Sequence, residues 1–243
     1  MTTQLRRTIG VLALLGLAAT VWLGLWVTPP DAVQGNYARF LYIHPPLAWV
    51  AYLAYGLAAV SSVLYLVPRT RNLAFDRLAV SAVEVGVIYT LLTLLTGSLW
   101  GKNTWGVYWV WDARLTSTAF MAVLFLGYLA LRRVPGEPHQ VAKRSAVAAL
   151  VAFIDVPIVH FSVQWWNTLH QGQTIQIQGN AVHGSMAWTL LLGFVSFTLA
   201  FVWMLMLRYQ LERARSTAAD SALAEAVAAR RREGDLAATE VSA

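Results

Sequence analysis

Six stretches of the chain are almost wholly apolar, and each is long enough to cross a bilayer as a helix. A spanning helix needs about 20 apolar residues. Pro, Gly, Asn or charged residues interrupt the chain between these stretches. The pattern therefore predicts an all-α polytopic membrane bundle, formed by one six-span domain over residues 1–211. The predicted spans are Ile9–Val27, Leu47–Val67, Leu78–Leu99, Thr116–Leu131, Ser145–Val163 and Met186–Leu207.

The first stretch has a second interpretation, as a cleaved signal peptide. Arg6 and Arg7 precede it, as basic residues precede a signal core. The apolar run is long for such a core, and no clear small-x-small cleavage site follows it. We expect a retained first span. At the other end, residues 212–243 are rich in Ala, Arg and Glu, which predicts a charged cytoplasmic tail, either a helical extension or disordered.

Positive charge is distributed unevenly between the predicted loops. Fifteen of the 18 Lys and Arg residues lie at the amino terminus, in the second and fourth loops, and in the tail; the others are Arg39, Lys102 and Arg114. Cytoplasmic loops carry the excess of Lys and Arg, so both termini are predicted to be cytoplasmic. Loops 28–46, 100–115 and 164–185 then face outward. The net charge of +6 is thereby assigned to the anionic cytoplasmic leaflet and not to nucleic acid.

The chain contains no cysteine. Disulfides and thiolate metal ligands are therefore excluded, and so is covalent attachment of haem through a Cys-x-x-Cys-His motif. Any haem must be bound non-covalently, with His, Met or Tyr as candidate axial ligands.

Four of the five histidines lie on the predicted outer side, and only His139 lies in a cytoplasmic loop. His44 precedes two prolines, which suit the first turn of the second span, and His170 follows the fifth span. Two imidazoles from different loops can approach one haem iron from opposite faces. Each histidine taken alone is better explained as a loop residue that caps backbone groups. The outer histidines are His44, His160, His170 and His183.

The third loop combines a dense set of aromatic rings with charged residues. Aromatic faces can stack on a macrocycle, and Lys102 and Arg114 could pair with its carboxylates. An interfacial aromatic belt is the alternative, and it explains two or three rings but not the charges among them. The rings and the acid are Trp100, Trp105, Tyr108, Trp109, Trp111 and Asp112.

Three motifs together carry a resemblance to a known family. The segment WGVYWVWDARLTS resembles the tryptophan-rich signature of the WWD-domain superfamily of haem-handling proteins. IHPPLAW lies before it and HFSVQWWNTLHQG after it. With all three in this order, over most of residues 35–205, the chain is most similar to the CcmC family of cytochrome c maturation.

The resemblance implies a site and a set of partners. Haem b would be held without covalent attachment between His44 and His170 as axial ligands, with Trp105, Trp109, Trp111 and Asp112 covering the ring. The chain departs from the family at Tyr108, where tryptophan is usual. The resemblance further implies haem delivery, without catalysis, to the periplasmic chaperone CcmE at a bacterial inner membrane. The small subunit CcmD and the ABC transporter CcmA/CcmB would complete the assembly.

Two other functions remain open at this point. A cytochrome b-type quinone oxidoreductase subunit would carry histidine pairs inside its spans, but the second, third and fourth predicted spans contain none. A transporter without haem could use Glu84 and Asp155 as an ion path, although the broken helix pairs of such transporters are missing. Otherwise Glu84 could extend toward the cytoplasmic surface, and Asp155 could be neutral and hydrogen-bonded.

The outer surface is expected to carry two short amphipathic helices, at about residues 36–44 and 103–111. Between the three outer loops we expect a shallow haem site that is partly open to lipid.

Overall fold

Six helical segments of the computed structural model are long and apolar enough to cross a membrane, which confirms the predicted six-span helical fold. The structure describes residues 3–170 and 182–241, apart from the side chains of residues 220 and 233–241. Within these ranges no strand forms, and the one bridge joins Asp31 to Gly35. The candidate spans are Thr3–Val27, Asn36–Leu66, Leu73–Trp105, Ala113–Arg132, Pro138–Trp165 and Gly184–Arg232.

Seven α-helices build these spans, together with two short non-α turns. A π-helical turn, Leu23–Val27, ends the first span, and a 3-10 helix, Asn36–Tyr42, leads into the second. The 3-10 helix agrees with the predicted outer helix at 36–44. The helices are α1 (Thr3–Trp22), α2 (His44–Leu66), α3 (Leu73–Trp105), α4 (Ala113–Arg132), α5 (Pro138–Phe153), α6 (Asp155–Trp165) and α7 (Gly184–Val241).

Helix α3 is longer than predicted, and the prediction of a separate helix at 103–111 was wrong. The helix continues past Leu99 to Trp105 and ends where Gly106 adopts a left-handed conformation with φ 80°. Glycine favours this conformation because it has no Cβ. Residues 107–112 then run as a non-helical link, and the Asp112 carboxylate caps α4 by accepting from the Leu115 amide at 2.8 Å.

The predicted fifth span is divided into two helices at Ile154. Pro157 lies in the first turn of α6, where it has no amide hydrogen to continue the hydrogen bonding of α5. Asp155, the first residue of α6, is buried, and its Oδ2 has no hydrogen-bond partner in the described part of the chain. The hydrogen bond expected for Asp155 is therefore not seen at this oxygen.

The centre of the bundle is formed by α2 and α3. Tyr55 and Phe125 stack there with ring centroids 3.6 Å apart, and the Tyr55 hydroxyl pairs with Thr90 at 2.8 Å. Gly86 permits this approach, because a Cβ at that position would lie 2.8 Å from the Tyr55 ring. Close packing of α2 on α3 fixes the position of the first turn of α2, where His44 lies.

Two ion pairs fasten α3 to its neighbours near the opposite end from His44. Arg132 of α4 donates to both carboxylate oxygens of Asp76, at 2.5 and 2.9 Å. Arg208 of α7 pairs with Glu84. The sequence indicated no partner for Glu84, and α7 brings this cation to it.

Helix α7 continues without a break through residue 211, the boundary predicted between membrane domain and tail. The described side chains from Arg213 to Arg232 are largely exposed. The assignment of residues 212–243 as a separate cytoplasmic tail stays a prediction.

Candidate functional site

A cavity of about 610 Å³ lies at the end of the bundle where α2 begins and α3 ends. This volume is within the usual range for small-molecule sites. Residues from five parts of the chain that lie far apart in sequence line it. They are Gln34, Leu41, His44, Pro45, Ala48, Trp49, Tyr52, Gly97, Trp100, Gly101, Thr104, Trp105, Arg114, His160, Leu169, His170, Leu190 and Phe194.

His44 is the first residue of α2, with prolines occupying the next two positions of the first turn. Its ring lies against α3, where Nδ1 is 3.1 Å from the Thr96 hydroxyl. A Cβ on Gly97 would come within 2.9 Å of the His44 Cε1. The absence of a side chain at Gly97 therefore allows the imidazole to lie close against the helix, with Nε2 as the nitrogen available to a ligand.

His170 reaches the same cavity from the segment after α6, and the Asp112 carboxylate holds it there. Its Nδ1 donates to Asp112 Oδ2 at 2.9 Å, while Oδ1 of the same carboxylate caps α4. Burial lowers the pKa of His170, and the hydrogen bond and charge of Asp112 oppose that shift. A carboxylate behind an imidazole is the usual way to orient a metal-ligating histidine.

The aromatic residues of the third loop divide into two groups. Trp100 and Trp105 line the cavity: Trp100 donates to Gln34 at 2.8 Å, and the Trp105 ring lies edge-on to His170 at a centroid distance of 4.8 Å. Tyr108, Trp109 and Trp111 do not line it. Trp111 is 82 % exposed. These three rings, which were grouped with the site, lie outside the lining of this cavity.

Arg114 is the cation of the cavity wall. Its guanidinium donates to the His160 carbonyl at 3.1 Å and to the Ser162 hydroxyl at 3.3 Å, and neither acceptor is charged. Lys102, the other cation considered, instead contacts the Tyr108 ring and the Gly106 carbonyl. The cavity thus presents one guanidinium to a carboxylate-bearing ligand.

Several wall residues were not anticipated from the sequence. Gly97, Gly101 and Thr104 are among them. With Trp100, which was predicted, they share one face of α3, a spacing that could have indicated a binding face. His160, which was assigned no role, lines the cavity, with its ring 6.0 Å from that of Tyr52. His183 is exposed, and the rest of the predicted third outer loop, residues 171–181, lies outside the described residues.

The donor set suits a metal macrocycle better than a free ion. In the described ranges, no group of three or more His, Cys, Asp or Glu side chains could hold a metal ion. Two imidazoles, each with Nδ1 engaged, can supply axial ligands to a metal that brings its equatorial ligands with it. The apolar and aromatic walls then fit the faces and edges of a porphyrin.

The family model named Heme exporter protein C, or CcmC, matches residues 1–224 of this chain. The chain belongs to the CcmC family. This finding confirms the resemblance that the three sequence motifs carried.

Relatives of this CcmC family member occur in bacteria and in plant mitochondria. Heme exporter protein C of Bradyrhizobium diazoefficiens is 41% identical over 192 residues, covering 76% of this chain and 72% of the relative. The Haemophilus influenzae protein of the same name is 37% identical over 202 residues, with 83% and 80% covered. A putative cytochrome c biosynthesis ccmC-like mitochondrial protein of Marchantia polymorpha is 39% identical over 180 residues, with 74% and 75% covered.

Proposed function

We propose that this protein binds haem b non-covalently in the described cavity and delivers it during cytochrome c biogenesis. The observation that carries the proposal is the pair His44 and His170, which line one cavity and both have Nδ1 occupied by an acceptor. Their Nε2 atoms would bind the iron. The bound haem itself supplies a ligand-binding iron centre. The chain performs no catalysis.

Other residues of the cavity would hold the macrocycle. Trp100 and Trp105 would contact the macrocycle, and Arg114 would pair with a propionate. Trp49, Leu190 and Phe194 give apolar walls from α2 and α7. Trp49 lines the cavity and is 44% exposed, which supports a site that is partly open to its surroundings. Tyr108, Trp109 and Trp111 would form a surface beside the site. This surface would contact a partner protein and not the buried haem.

The direction of delivery follows from the charge distribution. The predicted basic loops follow α2 and α4, whereas the cavity lies where α2 begins and α3 ends. Under the positive-inside rule this arrangement supports a cavity at the periplasmic face of the inner membrane. There the haem would pass to the chaperone CcmE, in an assembly with CcmD and the CcmA/CcmB transporter.

Purified protein supplies the direct test. We expect an optical spectrum of six-coordinate haem b, with all of the haem extractable into acidified solvent. His44→Ala and His170→Ala should each remove most of the haem. His139→Ala is the matched control, because His139 packs on Tyr65 far from the cavity. Unchanged haem content and spectrum in both ligand variants would refute the site.

A quinol assay tests the alternative enzyme. A quinone oxidoreductase subunit would reduce its haem rapidly with added quinol, whereas a carrier should show no such turnover. Rapid, saturable reduction by quinol would favour the oxidoreductase.

A further inference from the structure

The two imidazoles of the cavity are held by acceptors of unequal strength. His170 donates to a carboxylate, and His44 lies against a hydroxyl. Hydrogen bonds to an ionised acceptor are roughly twice as strong as neutral ones. An acceptor on Nδ1 also sets the tautomer and raises the basicity of Nε2.

The protons around Thr96 settle the tautomer of His44. The Thr96 hydroxyl donates its single proton to backbone carbonyls, Leu92 at 2.8 Å and Thr93 at 3.2 Å. Its oxygen is therefore an acceptor toward His44. With the Thr96 oxygen as the acceptor, Nδ1 carries the proton and Nε2 keeps its lone pair.

At His170 the same tautomer is enforced by charge. Asp112 has one oxygen on the Leu115 amide and the other on His170 Nδ1, so both oxygens are fixed. The side chain of Asp112 is 8% exposed, which limits competition from water. His170 thus has the more electron-rich Nε2 of the two.

We propose that Asp112 and Thr96 are positioning residues that make His170 the strong axial ligand and His44 the weak one. Haem release then begins by dissociation of His44 from the iron, while His170 still holds it. This inference rests on the proposed function. It adds the order in which the two histidines leave the iron. Departure in this order requires no change in the protonation of either histidine.

Carbon monoxide bound to the ferrous, haem-loaded protein is the probe. It replaces one histidine on the iron. Its C–O stretching frequency then depends on the histidine that stays bound on the opposite side of the iron. Asp112→Asn keeps the helix cap, because Asn is as good an N-cap as Asp, but it places an amide NH2 group in the position of the oxygen that accepts from His170, so the charged acceptor is lost. Thr96→Val removes the acceptor at His44 at nearly constant volume, and Thr96→Ser retains it.

If His44 leaves first, Asp112→Asn shifts the C–O frequency and raises the midpoint potential. Thr96→Val should leave the frequency unchanged and speed carbon monoxide binding by roughly three- to tenfold, the effect of losing one neutral hydrogen bond. Thr96→Ser should resemble the wild-type chain. If these residues had only a structural role, their substitution would lower the haem content. The frequency shift would then not be confined to Asp112→Asn, nor the faster binding of carbon monoxide to Thr96→Val.

The opposite pattern overturns the inference: a frequency shift in Thr96→Val and none in Asp112→Asn means that His170 leaves first. Equal effects of the two variants on the rate of binding would also overturn it, since the ligands would then be equivalent. Should Thr96→Val not fold, an unchanged frequency in Asp112→Asn is enough to overturn it. Failure of the proposed function is a separate result, because a wild-type chain that takes up no haem shows it before carbon monoxide is added.

Discussion

Gly97 gives the ring of His44 the space that it occupies. A methyl group there would lie 2.9 Å from Cε1 and 3.5 Å from Nδ1 of the imidazole. Contacts this short force either α2 or the His44 side chain to move, and an off-rotamer side chain costs about 0.5–1.5 kcal/mol. The position of this histidine therefore depends on a glycine in another helix.

We expect Gly97→Ala to weaken haem binding by roughly tenfold, equivalent to about 1.4 kcal/mol, while the fold is retained. Haem titration of the purified apoprotein measures the effect. Gly56→Ala is the control, because a Cβ at Gly56 meets nothing within 4 Å. Equal affinities of the two variants would mean that His44 does not ligate the haem in the observed position.

The two histidine ligands could be proposed from the sequence, but the residues that position their side chains could not. His44 and His170 lie in recognisable motifs, next to prolines and tryptophans. Thr96 precedes a glycine within an apolar helix, and nothing local indicates that it contacts a residue 52 positions away. Asp112 was noticed for its place in the tryptophan-rich loop, whereas its contact with His170 depends on how α4 and α6 pack.

At the scale of the elements, hydrophobic runs predicted the spans well and their ends poorly. The run in α3 loses its apolar character after Leu99, yet the helix continues to Trp105, because the polar residues there still have helical hydrogen bonds. The break between α5 and α6 falls inside an apolar run. Pro157 could have indicated it, but a proline within a spanning helix is tolerated too often to predict a break on its own.

Gly106 ends α3 and sets the course of the tryptophan-rich link. We expect Gly106→Ala to lower the free energy of unfolding by about 1 kcal/mol or more, since a Cβ is unfavourable at a φ of 80°. Thermal unfolding in detergent measures this as a lower Tm. Gly106→Asn should recover part of the loss, because Asn tolerates the left-handed conformation.

Gly127→Ala, in the middle of α4, is the matched control for Gly106→Ala. A Cβ at Gly127 meets nothing within 4 Å, and its φ is not positive. Alanine should therefore preserve or raise the Tm at this position. A Gly106→Ala variant as stable as wild type would show that the link does not depend on the left-handed turn.

At the scale of the whole molecule, alternation of the spans separates the cavity from the basic loops. The segment before α2 holds Gln34, a cavity residue, and it is the first of the predicted outward loops. The loops after α2 and α4 hold arginines such as Arg69 and Arg133. Membrane orientation is set by the Lys and Arg of short loops during insertion, so the distribution of charge predicts a periplasmic cavity.

The absence of cysteine makes this orientation simple to measure, because any introduced thiol is the only one in the chain. Val33→Cys and Val134→Cys form a matched pair, since both replace exposed valines, in the first and fourth loops. A membrane-impermeant maleimide applied to intact spheroplasts should label Val33→Cys and leave Val134→Cys unlabelled, and lysis should expose both. Labelling of Val134→Cys alone before lysis would put the cavity on the cytoplasmic side, where haem could not be delivered to a periplasmic acceptor.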